Sequence, residues 1–439
     1  MQSYYITYYG CAVNEAEANE LAHLMDTGGF VGAIDVNHAD LIIILACSVR
    51  QDIMDSIYNF IATNKIKKNV LKILTGCVLE YDISKLKGQF DIIIDITKIA
   101  KLPKLIARKS KFYEYSPGNN SYLELNYQSN KPWEQLIPIS NGCNQFCSYC
   151  AVPYTRGREN NSSAKKILTK IKNLAPEVKK ITLLGQTVNS YVNPDKNSKI
   201  INFADLLENV ALLRPDSWVR FASSHPNGFD LYLIKIIAKY PNISRHIHLP
   251  LQSGSNKILK LMNRKYTIEQ YYELVDKIYK YIPDANLTTD IIVGFPGETK
   301  SDFNNTLKAI SKCQVSAVET GIYSPRPGTL AQKMYRDSIT KAEKLRRAKE
   351  INNYINRKFR QKSIKLIGSS QEVLIESIDN GFSLGRTRKY ETVKIVGALA
   401  KNLGAFVPVR FIKPSEKDLK LNRFVCKMPN HGPNAGFKV

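Results

Sequence analysis

Three closely spaced cysteines form the stretch of the sequence with the most specific chemistry. Cys143, Cys147 and Cys150 stand in a C-x3-C-x2-C run, directly after the short apolar segment 136–139. Soft thiolate ligands select iron–sulfur clusters, and three thiolates can ligate three of the four irons of a cubane cluster. The fourth iron then has no protein ligand. The spacing therefore predicts a [4Fe–4S] cluster with one iron open to a small chelating molecule.

Two other interpretations of this run fit less well. A structural zinc site requires four tetrahedral ligands, usually as paired Cys or His residues, and the next Cys or His after Cys150 is His225. A disulfide would leave one of the three thiols unpaired.

Three more cysteines stand at equivalent places in the first part of the chain. Strand-like and helical patterns alternate there, which predicts a parallel, doubly wound sheet. The expected strands are residues 4–9, 41–46, 70–75 and 91–95, and the expected helices are 14–25 and 50–63. Cys11, Cys47 and Cys77 each follow the carboxyl end of a strand, and in a parallel sheet these ends share one edge. We therefore expect a second cluster with an open iron, although three independent buried cysteines are the simpler alternative.

The central region repeats a strand–helix pattern six times. Helices such as 203–213 and 268–281 separate the strands, and this favours a partial barrel of six βα units over a complete eightfold one. The expected strands are residues 136–139, 180–184, 218–222, 246–250, 287–293 and 317–323.

Glycines and short polar residues recur after these strands, on the face that holds the active site in barrels. Glycine allows close approach of the backbone to a ligand, and the polar groups can fix a ribose or an amino-acid moiety. Each cluster alone is typical of an ordinary turn, and a lone loop histidine is more often structural. The candidate binding residues are Gly185, Gln186, Ser224, His225, Gln252, Asp290, Gly294 and Glu298.

The charge balance of the chain indicates a polyanionic partner. The 439 residues include 63 Lys+Arg and 39 Asp+Glu, which gives a net charge of +24. A lysine-rich genome that spreads lysine over solvated surfaces is the alternative, but the basic residues concentrate in two expected helices, which favours nucleic acid. The first helix carries Lys98, Lys101, Lys104, Arg108, Lys109 and Lys111, and the second, at 341–365, carries Lys344, Arg346, Arg347, Lys349, Arg357, Lys358 and Arg360.

Five short strands at the end of the chain predict a small β-barrel of the OB-like kind. They are residues 372–376, 382–386, 392–396, 406–411 and 423–427. The stretch from Gly385 to Tyr390 places three basic residues beside an aromatic ring, a combination suited to RNA phosphates and stacked bases, or to a merely solubilising surface.

The eight cysteines are too few for a secreted disulfide scaffold, and no leader pattern opens the sequence. The longest apolar run, residues 41–47, is too short to span a bilayer. We expect a cytoplasmic protein in a reducing compartment, with no membrane partner. Cys313 and Cys426 are expected to be structural thiols.

The chain resembles the radical SAM (S-adenosylmethionine) methylthiotransferases over nearly its whole length. The surroundings of Cys11, Cys47 and Cys77 resemble the auxiliary-cluster domain of that family, and Cys143, Cys147 and Cys150 its radical SAM motif. The resemblance implies an auxiliary-cluster domain at 1–112, a radical SAM core at 128–358 and a TRAM RNA-binding domain at 361–428. It departs from the family pattern at Ala12, Ala46 and Ser162.

Three branches of this family differ in their substrate. One modifies tRNA isopentenyladenosine, one modifies tRNA threonylcarbamoyladenosine, and one modifies an aspartate of a ribosomal protein. The stretches 151–159, 248–254 and 323–329 resemble the first branch most. The implied reaction is methylthiolation of C2 of N6-isopentenyladenosine at position 37 of tRNA.

The resemblance also implies the cofactors and partners. The cluster on Cys143, Cys147 and Cys150 would reduce SAM and cleave it to a 5′-deoxyadenosyl radical, and the candidate binding residues would hold SAM. The cluster on Cys11, Cys47 and Cys77 would supply sulfur, so the expected cofactors are two [4Fe-4S] clusters and S-adenosyl-L-methionine. Expected partners are the tRNA anticodon stem-loop, an electron donor such as flavodoxin or ferredoxin, and a sulfur donor. The protein itself is expected to be a monomer. A non-catalytic iron–sulfur RNA-binding protein is the rival interpretation, and two triads with open irons argue against it.

Overall fold

The chain folds into three regions in the order expected from its sequence. The computed structural model describes residues 1–64, 69–108, 111–114, 123, 127, 129–379, 381–396 and 400–428. A six-stranded sheet comes first, two three-stranded parallel sheets follow, and a closed five-stranded barrel comes last. The predicted fold class is confirmed.

The N-terminal region is a wholly parallel sheet in the order β2-β1-β3-β4-β5-β6. Its elements are β1 (Ser3–Tyr8), α1 (Ala12–Thr27), β2 (Val31–Gly32), β3 (Leu41–Cys47), α2 (Gln51–Thr63), β4 (Leu71–Cys77), α3 (Glu80–Leu86), β5 (Ile92–Ile94), α4 (Leu102–Ala107) and β6 (Phe112–Glu114).

Both faces of this sheet are covered, which explains the unbroken apolar sequence of its central strand. Every residue of β3 is buried. Its alternate side chains pack into two separate cores, with Ile43 on the side of α1 and α4 and Ile44 on the side of α2 and α3. A strand covered on both faces is apolar throughout rather than alternating. β2 and β6 were not predicted from the sequence, because strands of two and three residues carry almost no periodic pattern.

The predicted basic helix around residues 98–111 is largely wrong. A 3₁₀ segment covers Ile96–Lys101, and only α4 is α-helical. Pro103 stands in the first turn of α4, where its missing N–H costs nothing, and it therefore favours a helix that begins there. Lys98 forms an ion pair with Glu114 of β6. Of the predicted basic residues, Lys109 lies outside the described residues.

The central region contains six parallel strands in two groups of three, as predicted for a partial barrel. The groups are ordered β11-β10-β7 and β12-β13-β14, and a bridge between Val219 and Ile243 connects them. The elements are β7 (Glu134–Pro138), β8 (Ser140–Asn141), α5 (Val152–Thr155), β9 (Asn160–Asn161), α6 (Ala164–Lys172), β10 (Lys180–Leu184), α7 (Phe203–Leu213), β11 (Trp218–Phe221), α8 (Leu231–Lys239), β12 (His246–His248), α9 (Asn256–Leu261), α10 (Ile268–Tyr281), β13 (Asn286–Val293), α11 (Lys300–Lys312), β14 (Ala317–Ile322), α12 (Leu330–Met334) and α13 (Lys341–Leu366).

The C-terminal region is a closed barrel in the order β15-β16-β17-β19-β18. Its elements are β15 (Ser370–Asp379), β16 (Phe382–Thr387), β17 (Thr392–Val396), β18 (Phe406–Ile412), α14 (Glu416–Lys420) and β19 (Phe424–Lys427). All five predicted strands are present. Cys426 is buried in the core of this barrel, and Cys313 is buried in the core of the central region, as structural thiols.

The small barrel packs against the amino ends of the central strands, opposite the expected ligand face. Lys180, the first residue of β10, pairs with Glu134 of β7 and with Glu376 of β15. Tyr390 lies under the guanidinium of Arg220, 3.5 Å from the ring centroid, and stacks on His246. The predicted base-stacking role of Tyr390 is therefore wrong, because these two central side chains cover its ring.

Several basic residues of α13 form ion pairs within the chain. Lys344 pairs with Asp337, Arg346 with Glu343 and Glu350, Arg347 with Glu298 and Glu343, and Arg360 with Glu416. The exposed basic residues of this helix include Lys349, Arg357 and Lys358. α13 therefore presents less positive charge to a polyanion than its sequence predicts. Among the helices of the described residues, none is long and apolar enough to cross a membrane.

Candidate active site

The loop that carries Cys143, Cys147 and Cys150 follows β7 and β8 and closes on itself. The amide of Cys143 donates to the carbonyl of Gly157, at 3.2 Å, and the amide of Cys150 donates to the carbonyl of Cys147, at 3.0 Å. Gly142 has φ +74, and a Cβ there would collide with the carbonyl of Arg158. The loop therefore requires glycine immediately before the first cysteine.

The three thiols of this loop lie close enough to influence one another. Burial, and then the neighbouring Cys147 and Cys143 thiols, raise the pKa of Cys150, and burial raises the pKa of Cys143. Backbone amides donate to two of the sulfurs at 3.4 Å, from Gln145 to Cys143 and from Val152 to Cys150. Amide donors and buried thiols are what a cluster ligated by thiolates requires, since the donors offset the negative charge of the sulfurs.

Arg264 connects this loop to the barrel ends. Its guanidinium donates to the Cys147 sulfur at 3.3 Å and to the carbonyl of Pro250 at 2.8 Å. Thr187, directly after Gln186, has its hydroxyl 3.5 Å from the Cys143 sulfur. The cysteine loop thus lies at the carboxyl ends of the central strands. Arg264 was not predicted to contact this loop, because it is distant in sequence from the cysteines.

Several of the predicted binding residues present buried polar atoms without a hydrogen-bond partner among the described residues. Such atoms are uncommon in proteins and need an explanation, such as a bound ligand. They are Gln186 Oε1, Ser224 Oγ, His225 Nε2, Gln252 Oε1 and Glu298 Oε1. Ser223 and Gln252 also have positive φ, 66° and 70°, a strained conformation for residues other than glycine. These groups fit a ligand that offers both donors and acceptors.

His225 is held as a neutral donor. Burial, and then the charge of Arg264, lower the pKa of His225 to about 3. Its Nδ1 accepts a hydrogen bond from the amide of Asn227, at 3.1 Å, so the proton lies on Nε2. A neutral Nε2–H suits a hydroxyl or carboxylate oxygen of a ligand, and protonation of the ring is disfavoured across the physiological range.

Other predicted binding residues have partners inside the protein. Gly294 donates its amide to Glu298 Oε2, at 2.6 Å, and Arg347 donates to the same oxygen, also at 2.6 Å. Asp290 lies beside His248, with 3.3 Å between Oδ2 and Nε2. Gly294 and Glu298 thus stabilise the turn after β13, and their contact with a cofactor stays a prediction, as does that of Asp290. Gly185 packs against Ser140, with no room for a Cβ.

The second set of cysteines meets at the carboxyl edge of the N-terminal sheet. Cys47 and Cys77 are the last residues of β3 and β4 and are directly opposite each other in the ladder. Cys11 follows β1 and caps the amino end of α1. Burial, and then Cys11, raise the pKa of Cys47 to about 11, and burial raises the pKa of Cys77 well above its usual value. The structure therefore brings together three residues that are far apart in sequence.

Two glycines permit the close approach of the backbone at this edge. Gly10 has φ +143, and a Cβ there would meet the Asn14 side chain and the Cβ of Cys47. Gly76 has φ +109, and a Cβ would collide with the backbone of Ala46 on the neighbouring strand.

Two buried arginines of the central region reach into the N-terminal region at this edge. Arg156 donates from Nε to the Cys77 sulfur at 2.7 Å. Arg326 donates from Nε to the carbonyl of Ser48 at 2.8 Å, and its other nitrogens contact Gln51 and Asp82. The edge with Cys47 and Cys77 therefore faces the central region, on the side that carries the first cysteine loop.

Comparison with known proteins identifies all three regions. Residues 3–96 match the Uncharacterized protein family UPF0004, residues 137–310 match the Radical SAM superfamily, and residues 365–420 match the TRAM domain. A tRNA-2-methylthio-N(6)-dimethylallyladenosine synthase of Bacteroides fragilis is 34% identical over 439 residues, covering 95% of this chain and 94% of that protein. The chain belongs to the tRNA-2-methylthio-N(6)-dimethylallyladenosine synthase family.

Proteins of the same name from other bacteria are also similar to this chain over most of its length. The synthase of Thermosipho africanus is 36% identical over 384 residues, with 83% of this chain and 87% of that protein covered. The synthase of Pelotomaculum thermopropionicum is 35% identical over 428 residues, with 93% and 95% covered. Membership of the radical SAM superfamily implies S-adenosylmethionine and one [4Fe–4S] cluster as cofactors of this chain.

The thiols of this chain suit a polynuclear cluster. Within the described ranges, no group of three or more His, Cys, Asp or Glu side chains is arranged to hold a metal ion. In a cubane, each cysteine binds a different iron, so three ligands around a cluster stand farther apart than three ligands around one ion. The two donor sets therefore fit such a cluster by the chemistry of their sulfurs. Cys47, Cys77 and Cys143 are buried, whereas Cys147 and Cys150 are partly exposed and Cys11 is exposed.

Proposed function

We propose that this protein is a radical SAM tRNA methylthiotransferase that acts on C2 of N6-isopentenyladenosine, also named N6-dimethylallyladenosine, at position 37 of tRNA. The observation that carries the proposal is the presence of two thiol triads on facing edges of two regions, connected through the side chain of Arg156. A single triad would support a radical enzyme without a sulfur source. The names of the relatives supply the substrate.

The residues of the central region have two tasks in this proposal. Cys143, Cys147 and Cys150 hold one cluster, and the buried polar atoms of Gln186, Ser224, His225, Gln252 and Glu298, together with Gly185, Asp290 and Gly294, line the region proposed for SAM. The burial of these polar atoms and the positive φ of Gln252 would fix the ligand and exclude water from it.

The residues of the N-terminal region hold the second cluster in this proposal. Cys47 and Cys77 are fixed opposite each other by the sheet, and Cys11 is placed by the start of α1. When bound, the first cluster with SAM supplies the radical that removes the C2 hydrogen, and the second supplies the sulfur. The chain itself positions the adenine of the tRNA between the two clusters. Hydrogen abstraction requires no general acid or general base.

The tRNA anticodon stem-loop is the proposed macromolecular substrate. Support comes from the net charge of +24, the match of residues 365–420 to the TRAM domain, and the exposed basic residues Lys349, Arg357 and Lys358. Positive side chains that neutralise phosphates give affinity independent of sequence. A flavodoxin or ferredoxin as electron donor, a separate sulfur donor and a monomeric state belong to the same proposal.

Mass spectrometry of tRNA nucleosides tests the substrate. Cells that lack this protein should accumulate N6-isopentenyladenosine and lose its 2-methylthio form, and the wild-type gene should restore the product. A Cys313→Ala gene should also restore it, because Cys313 lies in the core outside both triads. Loss of 2-methylthio-N6-threonylcarbamoyladenosine instead would assign the protein to the other tRNA branch. Unchanged tRNA nucleosides would contradict the proposal.

A further inference from the structure

Arg156 lies close in sequence to the triad Cys143, Cys147 and Cys150, but its side chain contacts Cys77 of the other triad. It stands shortly after Cys150, at the end of α5, and is only 4% exposed. Its Nε donates to the Cys77 sulfur at 2.7 Å, which is short for a bond to sulfur. The segment that holds the first cluster therefore also contacts a proposed ligand of the second.

The guanidinium of Arg156 is held by a fully buried carboxylate. Its Nη1 and Nη2 donate to the two oxygens of Glu17, at 2.7 and 3.0 Å, and Nη1 is also 3.4 Å from Asn141 Oδ1. Glu17 is 0% exposed. A bidentate arginine–carboxylate pair fixes the plane of the guanidinium, so the direction of Nε toward Cys77 is fixed as well.

The same network continues to Cys11. Asn14, one turn before Glu17 on α1, donates from Nδ2 to Glu17 at 3.1 Å. The Asn14 side chain accepts a hydrogen bond from the amide of Cys11, at 3.3 Å, and its Nδ2 lies 3.8 Å from the Cys77 sulfur. The Arg156–Glu17 pair is therefore connected to two of the three cysteines through polar contacts and to the third, Cys47, through the β3–β4 ladder.

Arg326 provides a comparison within the same molecule. It is also buried, at 2% exposed, and it also reaches from the central region to the N-terminal region. Its ion pair with buried Asp82 is similar in kind to the pair of Arg156 with Glu17. Among the described residues, its guanidinium donates to oxygen atoms of Ser48, Gln51 and Asp82 and to no sulfur. Both ion pairs connect the central region to the N-terminal region, but only the arginine of the Arg156–Glu17 pair also donates a hydrogen bond to a cysteine sulfur.

We infer that Arg156 is a positioning residue of the auxiliary cluster, which orients Cys77 and raises the reduction potential of that cluster, with Glu17 limiting the rise. This inference rests on the proposed function, since it requires a cluster on Cys11, Cys47 and Cys77. Hydrogen bonds to ligand sulfurs and nearby positive charge stabilise the reduced, more negative state of an iron–sulfur cluster. Glu17 offsets the charge of Arg156 without removing its bond to the sulfur.

The test uses the full chain with Cys143, Cys147 and Cys150 all changed to Ala, so that only the auxiliary cluster is present. The midpoint potential is measured by redox titration followed by electron paramagnetic resonance, without tRNA. Arg156→Met alone would leave Glu17 as an unpaired buried charge, which strongly destabilises proteins. The double variant Arg156→Met with Glu17→Gln removes both charges and keeps the volume similar. We expect a lower midpoint potential in this variant.

Two further variants test the direction of the shift in midpoint potential and supply a control. Glu17→Gln alone should raise the midpoint potential, because the charge of Arg156 is then no longer offset. Arg326→Met with Asp82→Asn removes the matched pair and should leave the potential unchanged. An unchanged potential in the Arg156 double variant would overturn the inference. Equal shifts in both double variants would also overturn it, since a general loosening of the two regions would then explain them.

Iron analysis of the parent protein separates the inference from the proposed function. About four irons per chain are expected in the parent, from the auxiliary cluster alone. Absence of iron there would contradict the second cluster and the proposed function with it. Four irons together with unchanged potentials would contradict only the role of Arg156.

Discussion

The two thiol triads of this protein reach similar surroundings by opposite routes. Cys143, Cys147 and Cys150 lie on one loop, and local hydrogen bonds and one glycine shape that loop. Cys11, Cys47 and Cys77 come from three separate strand ends, and only the folded sheet brings them together. The first site depends on a loop conformation, whereas the second depends on the whole N-terminal region and on its contact with Arg156.

Because the two sites are assembled differently, different structural changes should abolish cluster binding at each of them. A loop with short-range contacts can bind its ligand whenever the neighbouring strands are in place. A site assembled from three strand ends is lost when the sheet edge opens, and its thiols also depend on a side chain of another region. We therefore expect changes in the central region to affect the auxiliary site more than changes in the N-terminal region affect the loop.

Removal of the cysteines should have the largest effect and should separate the two sites. With Cys143, Cys147 and Cys150 changed to Ala, formation of 5′-deoxyadenosine and of methylthiolated product should both fall more than about 10³-fold, since no cluster remains beside SAM. With Cys11, Cys47 and Cys77 changed to Ala, 5′-deoxyadenosine should still form while the methylthiolated product disappears. Chromatography of both products from one reaction measures this.

The control for this experiment is Cys426→Ala, which alters a buried thiol of the C-terminal barrel. It should retain both products. If the auxiliary variant lost 5′-deoxyadenosine as completely as the loop variant, the two sites would not be independent and the comparison would fail.

Glycine substitutions should have the next largest effect and should act on one site each. Gly142→Ala places a side chain at φ +74 against the carbonyl of Arg158, and Gly76→Ala does so at φ +109 against the backbone of Ala46. Each should lower the free energy of unfolding by roughly 1–3 kcal/mol. Iron analysis should show the loss of the loop cluster in the first variant and of the auxiliary cluster in the second.

Gly29→Ala is the matched control for the glycines. Gly29 also has positive φ, +84, but no atom lies within 4 Å of the added Cβ. This variant should lose about 1–2 kcal/mol from the backbone conformation alone and should retain all of its iron. Equal iron loss in all three variants would indicate general destabilisation instead of local effects.

The smallest predicted effect concerns the pH dependence of stability at His225, in the region proposed for SAM. The pKa of His225 is about 3 in the folded protein, below its usual value of 6.5. Below pH 6.5 the unfolded chain binds a proton that the folded chain does not, so stability present above pH 6.5 is lost as the pH falls toward 3. His225→Asn should therefore make the free energy of unfolding fall less steeply between pH 6.5 and 5.

Urea unfolding at several pH values in this window measures the effect. His38→Asn is the control, because His38 is exposed and pairs with Asp35 at the surface. An unchanged slope in the His225 variant would show that the ring binds protons as readily in the folded protein as in the unfolded chain, and the lowered pKa of His225 would then be wrong.

Much of the fold could be predicted because its patterns are local. All five strands of the small barrel and the six central strands follow short apolar runs, and the triad 143–150 is visible in eight consecutive residues. The triad Cys11, Cys47 and Cys77 could be predicted only because parallel strands share an edge.

The errors and omissions have a common physical origin in contacts between distant segments. Nothing near Tyr390 in sequence indicates that Arg220 and His246 cover its ring. Likewise, Arg156 and Arg326 were not assigned a role, because their partners lie in another region of the fold. The composition of α13 suggested a basic surface, but the acidic residues that neutralise part of it include Glu298 and Glu416, which lie on other elements.

Iron and sulfide per chain after anaerobic reconstitution test the central claim most directly. We expect about eight irons in the wild type and about four in the variant that lacks Cys11, Cys47 and Cys77. The variant that lacks Cys143, Cys147 and Cys150 should also retain about four. About four irons in the wild type and in the first variant alike would remove the auxiliary cluster, and zinc in place of iron would contradict the radical mechanism altogether.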